Sequence, residues 1–455
     1  MTRAAALNPS RPLAGPRWLW TLALAALLVI AGEVAWDRWR ESGSGELDPA
    51  TLQPWFGARN FAEAAAQADR DIAAVRQSLA NPPGDWIHAE QLAMALIARW
   101  RLRGEYADLA EADRLLRDGM ASAPDPAGPV LADATLAVLV HHLNRADVAL
   151  ARFARSVVPD PGESAEAAAL AGDVALQRGD LAAAKAKYLQ AVRFAPPATG
   201  DVRLAMLPAL QSEHDRAIME FELILAQPRH SPWTLASLML HRAQLDLQRG
   251  DWTGAGRWTG ASQRAFPGWW LADAHAAQQF ALAGRTAEAI RAYRTVATRS
   301  QRPEVMDALA HLLRLEGQGA ASRAWAAKAA AGWESRAALF PEAVIQHRAE
   351  HELAVGSVAR ALKLAQADVA ARPGPQGIAL LARALILSGR PREALGWLDQ
   401  SRDAGFVSAG ALMLRADAHA ALGDSAASAI ARDQALAINP KAADPAARLI
   451  WFGHD

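Results

Sequence analysis

The chain alternates between apolar segments rich in alanine and leucine and short polar interruptions that contain glycine. Alanine and leucine favour helix, so these segments predict helices nearly throughout. The interruptions recur at Gly179, Gly250, Gly284, Gly317, Gly356, Gly389 and Gly423, of which the last six are 34, 33, 39, 33 and 34 residues apart. Helical segments broken at a period near 34 residues predict a tandem array of helix-turn-helix repeats.

Small residues stand at two fixed distances from each of these glycines. Seven positions before the glycine lie Gly172, Ala243, Ala277, Ala310, Ala349, Ala382 and Ala416. Five positions after it lie Ala184, Ala255, Ala289, Ser322, Ala361, Ala394 and Ser428. Two antiparallel helices approach closely only where side chains are small, so these positions are predicted to form the contact within a repeat. Stacked neighbours would then complete the core.

Two further turns are predicted in the gaps of this spacing, at Asn144 and Ser212. Asparagine tolerates the left-handed backbone conformation of a helix C-terminus, and serine tolerates it less readily. The small residues would then be Ala137 and Ala149 around Asn144, with Ala205 and Ala217 around Ser212. With these turns the array has about nine repeats.

The repeats resemble those of the tetratricopeptide (TPR) family. The resemblance is clearest in LAGDVALQRGDLAAAKAKYLQAVRFAP (residues 170–196) and in ALAINP (residues 435–440), and it covers roughly residues 129–440. It implies an all-α, right-handed α-solenoid whose concave face binds peptides or protein segments. It specifies no partner.

Two regions depart from the family pattern. The unit around Gly104 has Ile97 and Leu109 where small residues belong, and residues 318–340 are irregular. We therefore expect a degenerate or capping helical repeat over residues 84–128 and the TPR solenoid over residues 129–455.

The N-terminal part contains one long apolar stretch, residues 18–36, which has tryptophan at both ends. Nineteen helical residues can just cross a hydrocarbon core of roughly 30 Å, and tryptophan favours the two interfaces. We expect a single transmembrane helix over residues 18–36, followed by a linker and a juxtamembrane helix over residues 37–83. A cleaved signal peptide is the alternative, but the small residues that cleavage requires are poorly placed.

Charge predicts which side of the membrane each part occupies. Arg3, Arg11 and Arg17 precede the apolar stretch without any acidic residue, whereas the charges that follow it cancel. The positive-inside rule then leaves residues 1–17 in the cytoplasm and the solenoid in the periplasm. We expect a single-pass protein of a bacterial inner membrane.

The overall composition excludes several kinds of site. The chain has no cysteine, which excludes thiolate zinc sites, iron–sulfur clusters, disulfides and cysteine nucleophiles. Basic and acidic residues number 48 each, so charge gives no case for nucleic-acid binding. We expect no cofactor and no small-molecule substrate.

A row of polar residues directly follows the small position of the first helix in each repeat. In the TPR family this position tends to line the concave groove. The row consists of Asp173, Gln244, Gln278, His311, Glu350, Arg383 and Asp417. It is either a solvated face or the floor of a peptide groove. Its mixed charges differ from the clamp by which some TPR proteins hold a terminal carboxylate, so hydrogen-bonding and apolar recognition are expected.

Two other features suggest sites. His347, Glu350 and His351 spell H-x-x-E-H, the signature of inverted zincins, and a helix would place both histidines on one face. The motif lacks a third acidic ligand and the protease fold, so chance is the favoured explanation. Trp252, Trp258, Trp269 and Trp270 cluster around one repeat. They are interpreted mainly as packing residues, with an aromatic binding patch as the alternative.

The sequence thus favours a membrane-anchored scaffold or chaperone that has protein partners and no enzymatic activity. Secretion, exopolysaccharide export and cytochrome maturation machines use such modules. A metal-dependent hydrolase acting through residues 347–351 and a cytoplasm-facing TPR adaptor are the alternatives.

Overall fold

The computed structural model describes residues 47–79, 86–156, 159–195, 200–228 and 230–452. Over these ranges the chain forms 21 α-helices and no strands. The helices, α1 to α21, span Phe61–Leu79, Trp86–Arg103, Tyr106–Ser122, Val130–Leu139, Leu143–Phe153, Pro161–Gln177, Leu181–Phe194, Gly200–Met206, His214–Leu225, Pro232–Arg249, Trp252–Ala265, Trp270–Leu282, Thr286–Ser300, Pro303–Leu315, Gly319–Ala337, Pro341–Val355, Val358–Ala371, Pro375–Leu387, Pro391–Asp403, Ala409–Ala421 and Ser425–Ile438. The all-helical prediction is confirmed.

Consecutive helices pack as antiparallel pairs from α2 onward. The pairs α2–α3, α4–α5, α6–α7, α8–α9, α10–α11, α12–α13, α14–α15, α16–α17, α18–α19 and α20–α21 are called repeats 1 to 10. A 3-10 helix, Leu207–Gln211, completes the first half of repeat 4. Each repeat also packs on the next, so the described chain is a TPR-like α-solenoid, as predicted.

A glycine–aspartate pair explains how three of the ten turns end one helix and begin the next. In repeat 3, Gly179 has a φ of 77°, in the left-handed region that glycine adopts without strain. The Asp180 side chain then accepts a hydrogen bond of 2.8 Å from the Ala183 amide and caps α7. Gly250–Asp251 and Gly423–Asp424 repeat this arrangement.

The small residues pack where the two helices of a repeat meet. In repeat 7, Ala310 is fully buried, and the hydroxyl of Ser322 donates a 2.8 Å hydrogen bond to its carbonyl. In repeat 3, a Cβ at Gly172 would lie 2.3 Å from Cε1 of Tyr188. The close approach predicted from small residues is therefore present, and the bulky residue of α7 fills the space that Gly172 leaves.

Three details of the predicted repeats are corrected. In repeat 2 the left-handed turn residue is His141, with a φ of 62°, and Asn144 lies inside α5. Alanine recurs three positions apart there, so Ala134 and Ala146 satisfy the same spacing from His141 as Ala137 and Ala149 do from Asn144. Ser212 does take the turn position, with a φ of 63°.

The other two corrections concern repeats 7 and 8. Residues 318–340, which appeared irregular, contain the continuous helix α15. Gly356 does not adopt a left-handed conformation. Instead the carboxylate of Glu352 folds over Gly356 and accepts a 2.7 Å hydrogen bond from the Ser357 amide, and a Cβ on Gly356 would lie 2.0 Å from this carboxylate.

The solenoid coils back on itself, so that the turn of one repeat contacts the loop five repeats further on. We call the loop between two consecutive repeats a junction. Nη1 of Arg302, in the junction after repeat 6, donates a 3.0 Å hydrogen bond to the Arg103 carbonyl beside the turn of repeat 1. The hydroxyl of Ser212 donates a 2.8 Å hydrogen bond to the Val407 carbonyl in the junction after repeat 9.

The same spacing holds for the other early repeats. His142 contacts Glu342, Gly179 approaches Pro373, and Asn439 bonds to the Leu247 carbonyl. The hydrogen-bonded pairs are 192, 195, 199 and 200 residues apart in sequence. Turns of repeats 1–5 are therefore called the covered turns.

Four later turns have different surroundings. At Gly284, Gly317, Gly389 and Gly423, no described atom outside the local chain lies within 4 Å of where a Cβ would be built. We call these four the open turns. The same chain thus provides a covered and an open set of similar turns.

The predicted transmembrane helix, residues 18–36, lies outside the described residues. Among the described helices, none has the length and apolarity needed to cross a membrane.

Candidate functional site

The predicted groove residues all lie on the first helix of a repeat, but the structure divides them into three groups. Asp173 is on α6, Gln244 on α10, Gln278 on α12, His311 on α14, Glu350 on α16, Arg383 on α18 and Asp417 on α20. In the middle of the row, Gln278 and His311 contact residues 445–452. The last two members, Arg383 and Asp417, are exposed, and Asp173 belongs to a separate cluster.

The middle of the row is covered by residues 445–452, which we call the return segment. It begins with the 3-10 helix Pro445–Leu449, which packs against α12 and α14. Asp444 caps this short helix by accepting a 2.9 Å hydrogen bond from the Ala446 amide. The return segment therefore lies along the surface formed by the first helices of the repeats, here those of repeats 6 and 7, which we call the inner surface.

Gln278 binds the main chain of the return segment with both ends of its amide. Its Nε2 donates a 2.9 Å hydrogen bond to the Phe452 carbonyl. Its Oε1 accepts hydrogen bonds from the Phe452 amide at 2.8 Å and from the Trp451 amide at 2.5 Å. Because Gln278 is fully buried, these bonds satisfy an amide that burial would otherwise penalise.

His311 makes the second main-chain contact. Its Nε2 lies 3.1 Å from the Arg448 carbonyl, which can only accept, so the proton is on Nε2. Burial, together with the nearby Arg314, lowers the pKa of His311 to about 4 and keeps the ring neutral near pH 7. The imidazole also faces the Trp451 ring, with centroids 5.8 Å apart.

The aromatic side chains of the return segment enter the inner surface. Phe452 is 7% exposed, and its ring centroid lies 5.6 Å from that of His275 and 6.4 Å from that of Tyr293. These are distances at which tilted aromatic pairs interact favourably. Recognition of the return segment thus combines main-chain hydrogen bonds with aromatic contacts.

A cavity of about 210 Å³ adjoins the aromatic pair of the return segment. Its walls come from α10, α12, α14 and α16 and include two further members of the predicted row, Gln244 and Glu350. Trp451 and Phe452 form another part of its lining. The inner surface is therefore only partly filled by the return segment.

The last two members of the row, Arg383 and Asp417, are exposed. Partial desolvation of the exposed guanidinium, followed by the nearby Arg314, lowers the pKa of Arg383, while Asp417 and Glu350 act in the opposite direction. Arg383 therefore lies within electrostatic range of Glu350 and Asp417. This part of the row is accessible to a partner.

Asp173 is engaged within repeat 3 and the start of repeat 4. Its Oδ1 accepts hydrogen bonds from the Tyr188 hydroxyl at 2.9 Å and from Nε of Arg203 at 2.7 Å. Burial raises the pKa of Asp173, although both of these donors oppose the shift. A role for Asp173 in partner binding stays a prediction.

The histidines of the H-x-x-E-H motif have separate structural contacts. Nδ1 of His347 lies 3.1 Å from Glu350, and the ring stacks on Trp333 with centroids 5.2 Å apart. Nδ1 of His351 lies 2.6 Å from Asp307. No group of three or more metal-ligating side chains was found in the described part of the chain. The hydrolase alternative therefore has no support.

The four clustered tryptophans are not equally accessible. Trp258 is fully buried beneath Arg242, whose guanidinium carbon lies 5.3 Å from the ring centroid, and Trp269 is 4% exposed. Trp252 and Trp270 are half-buried and contact Lys441 and Arg302. An aromatic binding patch, which stays a prediction, would have to use Trp252 and Trp270.

Sequence reasoning missed a buried charge cluster where the coils meet. Glu304 accepts hydrogen bonds from Arg336 at 2.7 Å and Arg302 at 3.3 Å. Burial raises the pKa of Glu304, but the two guanidinium groups outweigh burial and lower it to about 2. The arginines also face Trp270 and Tyr106. No local sequence signal joins these residues, since Tyr106 is in repeat 1 and Glu304 in repeat 7.

Comparison with known families agrees with this geometry. Residues 17–210 match the family model of the tetratricopeptide repeat-like domain. This part of the chain is a TPR-like repeat domain. The match includes the apolar stretch 18–36 and ends within the 3-10 helix of repeat 4.

Several solved structures are also similar. The P58(IPK) TPR domain is 15% identical, with a TM-score of 0.27, and the match covers 85% of this chain and 94% of that one. The APC/C hetero-tetramer Cut9-Hcn1 is 15% identical, with a TM-score of 0.39 and coverages of 93% and 82%. The human IFIT1 dimer with PPP-AAAA is 14% identical, with a TM-score of 0.40 and coverages of 83% and 87%. No curated protein matches the chain.

Proposed function

We propose that this chain is a membrane-anchored TPR scaffold or chaperone that holds protein segments on the inner surface of its solenoid. The observation that carries the proposal is the contact between the polar row and the return segment. Gln278 and His311 bind main-chain groups, which every protein segment offers. The exposed Arg383 and Asp417 extend the same row toward solvent. A surface of this kind suits binding of chain segments.

The proposed location is the periplasmic side of a bacterial inner membrane. Its support is the apolar stretch 18–36, the tryptophans at both ends of it, and the arginines that precede it. Within this setting the scaffold would serve envelope machinery of the secretion, exopolysaccharide export or cytochrome maturation type. A cytoplasm-facing adaptor is the competing arrangement.

Site-specific photocrosslinking in cells tests the binding surface. An Arg383→p-benzoylphenylalanine variant carries the crosslinker on the exposed part of the row, and a Gln400→p-benzoylphenylalanine variant carries it on exposed α19 as a control. We expect discrete protein adducts at position 383 and none of the same size at position 400. Identical adduct patterns, or none at position 383, would count against the scaffold.

A reporter fusion tests the orientation. Alkaline phosphatase fused after residue 60 is active only outside the cytoplasm, so we expect an active fusion. A cytoplasmic β-galactosidase reporter at the same position should be inactive. The reverse result would establish the cytoplasm-facing arrangement.

A further inference from the structure

The return segment occupies the inner surface in the manner of a bound peptide. Phe452 is its buried residue, whereas residues 445–451 are half-buried or exposed. Each of the ten repeats, by contrast, has a paired helix and a neighbouring repeat to cover its apolar face. The return segment is therefore held by its hydrogen bonds to Gln278 and His311 and by apolar contacts of Leu449, Trp451 and Phe452.

The helices that carry the receptor side of this contact are packed within repeats 6 and 7. Gln278 lies on α12 and His311 on α14, and both follow fully buried alanines that fix where the two helices of their repeats meet. The backbone positions of Gln278 and His311 are therefore set by the packing of repeats 6 and 7. A receptor surface carried by packed repeats and an occupant that is mostly half-buried or exposed are an arrangement that permits exchange.

The chemistry of the contact defines what else would fit. Both amide ends of Gln278 bind the main chain of two adjacent residues, and Nε2 of His311 binds a carbonyl three residues before them. Main-chain bonds fix the direction and the local backbone conformation of a ligand without selecting its sequence. Selection then comes from the two rings, which face His311, His275 and Tyr293.

We propose that repeats 6 and 7 form a binding site for a protein segment with two adjacent aromatic residues, and that the return segment occupies this site in cis until such a segment displaces it. This inference rests on the proposed scaffold function and names the ligand class and the regulation of its inner surface. The cavity beside Trp451 and Phe452 gives an incoming segment room to enter before the return segment leaves.

Full-length variants and one synthetic peptide test this site. The probe is a fluorescent peptide with the sequence of residues 443–455, followed by anisotropy. In the Trp451→Ala/Phe452→Ala chain the intramolecular occupant is weakened, so the peptide should bind at least about 10-fold more tightly than it binds the unmodified chain. A peptide carrying the same two alanines should not bind.

The receptor side is tested in the same released background. Adding Gln278→Leu removes all three main-chain hydrogen bonds and should weaken peptide binding by about 10-fold or more. The matched control is Gln400→Leu, an exposed amide on α19, which should leave binding unchanged. The inference would be overturned if the peptide did not bind to a released chain whose circular dichroism remains helical. It would also be overturned if both glutamine substitutions weakened peptide binding equally.

Hydrogen exchange measured on the unmodified chain gives a test that does not depend on whether the variants fold. We expect the Trp451 and Phe452 amides to exchange at least about 100-fold faster than the buried amides of α14, because only the return segment must detach. Equal protection would overturn the inference. If the peptide and exchange tests fail but discrete crosslinked adducts form at position 383, the cis site is ruled out and the proposed scaffold function stands. If only the adducts at position 383 are missing, the scaffold function is ruled out and the cis site stands.

Discussion

The covered turns of repeats 1–5 and the open turns of repeats 6, 7, 9 and 10 each join the two helices of a repeat, but their surroundings differ. Gly179 and Gly284 have φ values of 77° and 71° and join the two helices of their repeats in the same way. The Pro373 carbonyl lies against Gly179, whereas nothing described lies against Gly284. Comparing them separates the cost of a local backbone conformation from the cost of disturbing contact between coils.

The largest effect is expected where the coil contact also contains a buried charge. Arg302→Leu would leave Glu304 with one guanidinium group and the Arg103 carbonyl without its donor. Breaking a buried ion pair destabilises strongly, so we expect a loss of about 3 kcal/mol in the free energy of unfolding. Urea denaturation followed by circular dichroism measures this loss.

The matched control for Arg302 is the exposed pair beside an open turn. Arg285 bonds to Glu288 at 2.5 Å, but both side chains are largely in solvent. Arg285→Leu should leave the urea midpoint unchanged, because exposed ion pairs contribute little. Similar midpoint shifts in the two variants would remove the distinction between covered and open surroundings.

The next effect concerns the two glycines. Alanine at either position must adopt a left-handed backbone, which costs about 1–2 kcal/mol. At Gly179 its Cβ would also lie 2.6 Å from the Pro373 carbonyl oxygen, so the coils must shift apart. We expect Gly179→Ala to lose about 3 kcal/mol, including about 1–3 kcal/mol from this overpacking, and Gly284→Ala about 1 kcal/mol. Equal losses in urea would show that the coil contact adds nothing.

The last effect concerns the pH dependence of stability at the covered turn of repeat 2. Burial, followed by the charge of Arg372, lowers the pKa of His141 to about 3, compared with an ordinary value of 6.5. The unfolded chain therefore binds more protons between these values, so stability is complete above pH 6.5 and falls as the pH drops toward 3. The contribution is at most about 1.4 kcal/mol per pH unit.

His141→Asn isolates this contribution, because asparagine tolerates the left-handed conformation and does not titrate. Urea unfolding at pH 7 and pH 5 should show a smaller loss of stability in the variant than in the unmodified chain. Equal losses would assign the pH dependence to the other buried histidines, such as His311.

The repeats could be predicted from sequence because their determinants are local. A turn glycine and two small residues lie within 12 positions of one another, and their spacing recurs along the chain. The same local rule failed at Asn144, since alanines three positions apart satisfied two alternative registers and only His141 adopts the turn conformation.

The coil contacts and the occupied inner surface could not be predicted in this way. Arg302 and Arg103 lie 199 residues apart, and neither belongs to a sequence motif that indicates their contact. For the site, the polar row did indicate Gln278 and His311, because polar residues recur at one position of an otherwise apolar helix. The hydrogen bonds between Gln278 and residues 451 and 452 could not be predicted, because they depend on the path by which the superhelix brings these residues back to repeat 6.

The contact between coils also sets an order of events while the chain is being made. The turn of repeat 1 has no covering residue until Arg302 has been synthesised, 199 residues after Arg103. At about 5–20 residues per second this interval lasts about 10–40 s, during which each finished hairpin has only its immediate neighbours for support. The turns of nascent repeats 1–5 therefore stay exposed until repeats 6–10 are synthesised and cover them one after another.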